Sequence, residues 1–333
     1  MPANCPFYKT PLLWCILLAN YTNFGLMKVV KKAWKILYQA GDSFAEDGCM
    51  KFAASLSYYA IFALAPLLMI LISLVGSIFG RGAVEGRVYQ EMRQLVGDQA
   101  ALQIQSIIAN LQQTQNTTIG TIIGALVLFI AATGIFTEIQ GSINFIWSVR
   151  AKPKKSWLKY IINRLLSFVL VLVLSFLLLL SQIASALLSI LGHKLVEFFP
   201  NYTVYLINTI NLIVMLGSIT GLFIVIYKVL PDAIISWRDA LVGAVFTMIL
   251  FMGGRYLISF YMGRSNLDVT YGTAASIIIL LTWVYYSSII LYFGAEFTKA
   301  FALESGHGIR TKSTAVFIVK REEKEIPQSR ISL

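Results

Sequence analysis

Long stretches without charge organise this chain. An α-helix rises 1.5 Å per residue, so about 20 apolar residues cross roughly 30 Å of hydrocarbon. Six windows of that length can be marked, at 52–79, 119–146, 161–191, 204–228, 240–262 and 273–298. The window 119–146 is interrupted only by Glu138, 240–262 only by Arg255, and 273–295 carries no charge. Pro66 falls inside the first window, where neighbouring helices can re-satisfy the freed backbone groups. The pattern predicts an all-α integral membrane protein built as a six-transmembrane-helix bundle.

The segments between the windows are patterned too. Ahead of the first span, in 27–51, Val30, Trp34, Leu37, Tyr38 and Phe44 recur at helical spacing, while Lys28, Lys31, Lys32 and Lys35 take the other face. This predicts an amphipathic N-terminal helix, either interfacial on the inner leaflet or packed under the bundle. Between the first two spans, Val84, Val88, Met92, Leu95 and Val96 form one stripe, and Ile104, Ile107, Ile108 and Leu111 the next. Two helices forming a small external cap over 83–113 are expected. Residues 1–26 read as a non-native or disordered extension ahead of a natural start at Met27, because the apolar run Leu12 to Ala19 is too short to cross. Residues 301–333 read as a polar, solvated cytoplasmic tail.

Composition agrees with a membrane class: 57% of residues are hydrophobic and 13% charged, against about a quarter charged in ordinary soluble domains. The net charge of +11 is explained by its placement. Twenty Lys and Arg lie on the side holding 27–51, 150–164, 228–238 and the end of the chain, against five on the opposite side. Such a bias puts both termini in the cytoplasm. The basic balance is therefore topological, and no nucleic acid partner is expected. The implied partners are membrane lipids, including anionic lipid at the basic face, with a homo-oligomer as an option. Cys5, Cys15 and Cys49 have neither disulfide-framework nor zinc-ligand spacing.

Charged groups inside spans cost roughly 2.5 to 3.5 kcal/mol on insertion scales, so those retained are candidates for function. Glu138, Arg164 and Glu296 all fall near the cytoplasmic ends of their spans, and Asn144 is close by. Together they predict a shared inner-face polar layer, either a transport path or a clamp between helix ends. Arg255 and Asp268 form a second candidate pair in the outer half. No HExxH, GxSxG or P-loop spacing occurs, and His193 and His307 stand apart in the sequence. No catalytic residue, metal site or cofactor is expected.

Ordered local motifs add a family likeness over roughly residues 43–300. Ala53-Ala54-Ser55-Leu56-Ser57-Tyr58-Tyr59 with Ala65-Pro66 opens the first span. Phe136-Thr137-Glu138-Ile139-Gln140 and Asn144-Phe145-Ile146-Trp147 close the second. Leu230-Pro231 and Trp237-Arg238-Asp239-Ala240-Leu241-Val242-Gly243-Ala244 open the fifth, and Tyr271-Gly272, Trp283-Val284-Tyr285-Tyr286 and Gly294-Ala295-Glu296 mark the last. This set resembles the YihY/BrkB family of bacterial inner-membrane proteins, although Gly141 and Ala275 depart from the pattern. The resemblance implies six spans and a transporter or translocase of lipid, envelope component or small solute, without its own ATPase. A structural or scaffolding membrane protein is the alternative. Relatives have also carried the label ribonuclease BN, but the residues offer no metal pair for nuclease chemistry.

Overall fold

The computed structural model describes residues 31–63, 93, 98, 101–106, 134–152, 200–264 and 275–319, most of them helical. Gly48 makes the first change of direction. Its φ of 65° is left-handed, cheap only without a Cβ, and it separates helix α1 (31–46) from α2 (49–63). A third helix, α3, covers 134–146. Beyond it come α4 (Pro200–Lys228), α5 (Trp237–Arg264) and α6 (Ala275–Glu304). Among the described residues, Thr209–Lys228, Trp237–Tyr261 and Ile277–Glu304 are long and apolar enough to cross a membrane.

The expected window 161–191 lies outside the described residues, as do 1–26 and 320–333. The windows 52–79 and 119–146 are described only over 52–63 and 134–146. Of the expected cap, Arg93, Asp98 and 101–106 are described, all helical, and Arg93 Nε donates to the Asp98 carboxylate.

Two helix ends are set by local chemistry. Ser236 caps α5: its hydroxyl accepts from the Asp239 N–H at 3.3 Å, and its carbonyl accepts the first helical bond, from Ala240. Helix α6 runs six residues beyond the expected 298, because no breaker occurs before Ser305-Gly306. There Gly306, at φ 80°, supplies the left-handed stop, and Gly308 N–H returns to Ala302 O at 3.0 Å.

Past α6 the chain departs from the expected solvated tail. Strand β3 (Arg310–Thr311) pairs antiparallel with β2 (Ala233–Ile234) in the α4–α5 connection, and β4 (Ala315–Phe317) with β1 (Val149–Ala151) after α3. Backbone bonds from Lys312 N to Asp232 O, Lys152 N to Thr314 O and Ile318 N to Ser148 O extend both ladders. The segment is a strap across the ends of α3, α4 and α5. Strands of two or three residues carry too little alternation to be read from sequence.

Helix α1 also departs from its expected face. Ile36, Ala40 and Phe44 are buried; Ile36 and Ala40 form a cluster with Ala300, against which Phe297 and Phe301 pack, and Phe44 meets Phe293 edge-on. Trp34 and Tyr38, expected on the apolar face, are 69% and 70% exposed. Docking on α6 selects the i, i+4, i+8 stripe through Ile36 and leaves the larger aromatics outside.

Helices α5 and α6 run antiparallel through a reciprocal contact. The sequence Gly-Ala-x-Phe-Thr occurs at Gly243–Thr247 and again at Gly294–Thr298. A Cβ at Gly243 would overlap the Thr298 side chain, and one at Gly294 would overlap Thr247 and the Tyr227 hydroxyl. Each threonine turns its hydroxyl back to its own helix, Thr247 to Gly243 O at 2.7 Å and Thr298 to Gly294 O at 2.6 Å. Between the pairs Phe246 stacks on Phe297, with centroids 3.7 Å apart and planes 13° from parallel. Close backbone approach at small residues is how membrane helices gain packing energy without a hydrophobic drive. Gly217, in one of the two GxxxG steps of the sequence, has open space where a Cβ would stand and makes no such contact. Gly120 and Gly124, the other step, lie outside the described residues.

Candidate functional site

The polar residues singled out in the sequence fall into separate clusters. Asn144, buried on α3, holds Asp232 of the α4–α5 connection twice over: its Nδ2 donates to Oδ2 at 3.0 Å, and its Oδ1 accepts the Asp232 N–H at 2.8 Å. One turn earlier on the same face, Gln140 Nε2 donates to the same carboxylate oxygen at 3.3 Å. A buried carboxylate held by two side-chain amides makes a fixed joint between α3 and the turn that launches α5. Asp232 is not a candidate by sequence. Its one signal is its place after Leu230-Pro231 in a break between two apolar runs.

Glu296 is 1% exposed, and the Arg164 expected beside it lies outside the described residues. Lys299, one turn along α6, reaches Oε2 at 3.1 Å and lies 3.7 Å from the Asp47 carboxylate at the α1–α2 break. The Cys49 thiol, at the start of α2, is 4.0 Å from Glu296 Oε1. The cluster thus joins α6 to the Gly48 bend. The i, i+3 spacing of Glu296 and Lys299 is visible in the sequence; Asp47 has no signal beyond preceding Gly48.

Tyr292, one turn before Glu296 on α6, is fully buried. Its polar surroundings are Ser142 and Glu138 of α3 and Cys49. Helix α3 therefore turns Glu138 and Ser142 toward α6 and Gln140 and Asn144 toward Asp232, and Trp147 Nε1 closes its end on Ala295 O at 3.0 Å. Glu138 thus lies near Tyr292, which precedes Glu296 by one turn of α6. Arg164 and Asp268 lie outside the described residues. Arg255 is half-buried on α5, with its guanidinium 5.2 Å from the ring centre of Tyr256.

A third carboxylate, Asp239, is wholly buried at the start of α5. Its Oδ1 meets Ser305 Oγ at 3.3 Å and His307 Nδ1 at 3.2 Å, so His307 is not the isolated residue its sequence position suggests. The trio has the composition of a hydrolase triad without its geometry. A catalytic histidine contacts the carboxylate through one ring nitrogen and the nucleophile through the other, whereas Ser305 and Asp239 both contact Nδ1. The arrangement tethers the Gly306–Gly308 turn to α5.

Comparison with known proteins agrees with the fold and with the motifs. The family model described as Virulence factor BrkB matches residues 40–316. A UPF0761 membrane protein of Tolumonas auensis is 32% identical over 193 residues, 55% of this chain and 58% of that protein. One from Psychrobacter is 25% identical over 77% of this chain and 46% of its own length, and one from Psychromonas ingrahamii 26% identical over 82% and 89%. For the first two, then, the match spans about half the relative's length. No solved structure matches. Residues 40–316 hold all three carboxylate clusters and both Gly-Ala-x-Phe-Thr segments, and over this core the chain belongs to the BrkB family of membrane proteins.

Proposed function

We propose that this chain is a six-span protein of the bacterial inner membrane, with both termini in the cytoplasm and a small external helical cap. In this reading it is a transporter or translocase of a lipid, envelope component or small solute, without ATP hydrolysis, cofactor or catalytic residues of its own. The observation that carries the reading is Glu296. A carboxylate 1% exposed within a membrane-spanning helix is costly, and this one lies one turn from Tyr292, whose hydroxyl has Ser142, Glu138 and Cys49 around it. A path through the bundle would pass these groups.

The competing reading is a structural or scaffolding role. It is favoured by the outer stripe of α1, where Lys31, Trp34, Lys35 and Tyr38 share one exposed face suited to anionic lipid or a partner protein. Flux measurements in proteoliposomes separate the two. Wild type should move a substrate from a panel of lipids and osmolytes, and Glu296→Gln and Tyr292→Phe should lower that flux at least tenfold; flux no greater than from empty vesicles across the panel supports the scaffold. Orientation has its own check in reporter fusions. Those after Pro153 and Arg310 should report cytoplasm, and those within 94–113 and near Asn201 the outside. A cytoplasmic signal from 94–113 would overturn the arrangement.

A further inference from the structure

Helix α5 carries an apolar stripe that is exposed among the described residues. Trp237, Leu241, Val245 and Ile249 recur every four residues, share one face and are all exposed, Trp237 by 67% and Ile249 by 60%. On a membrane-spanning helix such a face meets acyl chains. At Trp237 the stripe ends, and the chemistry changes.

Cations gather there. Lys228, the last residue of α4, donates to the Ile235 carbonyl and holds its ammonium 5.2 Å from the centre of the Trp237 ring. Arg238 follows Trp237 and is exposed. Ile234, also exposed, is the direct strand partner of Arg310, so the two side chains stand on the same face of the β2–β3 ribbon. The Arg310 guanidinium is exposed and makes no side-chain hydrogen bond or ion pair among the described residues. Both acids of the α4–α5 connection and the start of α5, Asp232 and Asp239, are buried, so every exposed charge in that stretch is positive.

We propose that this corner is a binding site for one anionic phospholipid, with an acyl chain along Trp237, Leu241, Val245 and Ile249 and the headgroup held by Lys228, Arg238 and Arg310. The apolar length and the cationic end match the two halves of that molecule. Tryptophan at the junction suits the headgroup level, and guanidinium and ammonium donors suit phosphate oxygens. The C-terminal strap supplies Arg310, so lipid binding is coupled to the pairing of β3 with β2. The site does not depend on any solute moving past Glu296.

Native mass spectrometry of the full chain, delipidated in detergent and given phosphatidylglycerol or phosphatidylcholine of matched chains, tests it. Wild type should retain phosphatidylglycerol preferentially. Arg310→Gln should weaken that retention about fivefold, the worth of one cation near an anionic headgroup, and leave phosphatidylcholine unchanged. Leu241→Gln should weaken both lipids, and Arg150→Gln, on β1, neither. Equal retention of the two lipids by wild type would overturn the site, as would full retention by Arg310→Gln. Competition by glycerol phosphate as strong as by the intact lipid would remove the acyl chain from the proposal. A dimer that shields the stripe and carries no lipid would replace the lipid with a second copy.

Discussion

The two Gly-Ala-x-Phe-Thr segments agree at every position but the middle one, and there they are opposites. In each, glycine and threonine face the α5–α6 seam and phenylalanine stacks on its counterpart. The middle residue is Val245 in α5, exposed on the outer face, and Glu296 in α6, buried against the Gly48 bend. One packing motif thus presents its third position to hydrocarbon on one helix and to an ion cluster on the other. The seam fixes how close the helices come, and the surroundings decide whether the residue beside it can be charged.

The largest expected effect comes from the charged side. Lys299→Met leaves Glu296 buried without its nearest cation and should cost about 3 to 5 kcal/mol in detergent unfolding, as for a broken buried pair. Adding Glu296→Gln should restore most of the loss. Val245→Ala, at the matching position of α5, should change stability by about 0.5 kcal/mol or less, as at an uncovered site. If the lysine change is equally mild, the two segments are energetically alike and the contrast is false.

A smaller effect compares the glycines. Gly294→Val collides with both Thr247 and the Tyr227 hydroxyl, Gly243→Val with Thr298 alone. Overpacking costs about 1 to 3 kcal/mol, so the Gly294 variant should lie at the upper end and the Gly243 variant at the lower. Thermal unfolding of the two in one detergent gives the ranking, and the reverse order would mean that Tyr227 is no part of the seam. The smallest effect is at the tether. His307 is exposed, and His307→Ala should cost about 1 kcal/mol or less, while hydrogen exchange at 310–317 should quicken as the strap loosens. Unchanged exchange there would show that the strand ladders hold the strap by themselves.

Much of the site was legible residue by residue but not pair by pair. Glu296 and Asn144 stood out because a polar group in an apolar run is costly wherever the run folds. Their partners did not. Asn144 meets Asp232 across the α3 to α4–α5 contact, and Glu296 meets Lys299 and Asp47 at the Gly48 bend. Depth along a helix axis says which groups share a layer; rotation about that axis says which of them meet, and rotation is set by packing. The same limit hid from the sequence that α1 docks on α6 through Ile36 and Ala40 and leaves Trp34 and Tyr38, of the expected apolar face, exposed.

By itself the sequence determined what local chemistry can determine. Lengths of apolar runs marked α4, α5 and α6 as membrane-crossing, and the order of short motifs pointed to the family before any contact was known. Only the tertiary structure decided that the two Gly-Ala-x-Phe-Thr segments pack on each other, that the chain after α6 returns as β3 and β4, and that three carboxylates are buried with partners. Each depends on a surface supplied by a distant part of the chain. A two-residue strand or a buried aspartate has no pattern of its own, because its stability comes from the partner that satisfies it.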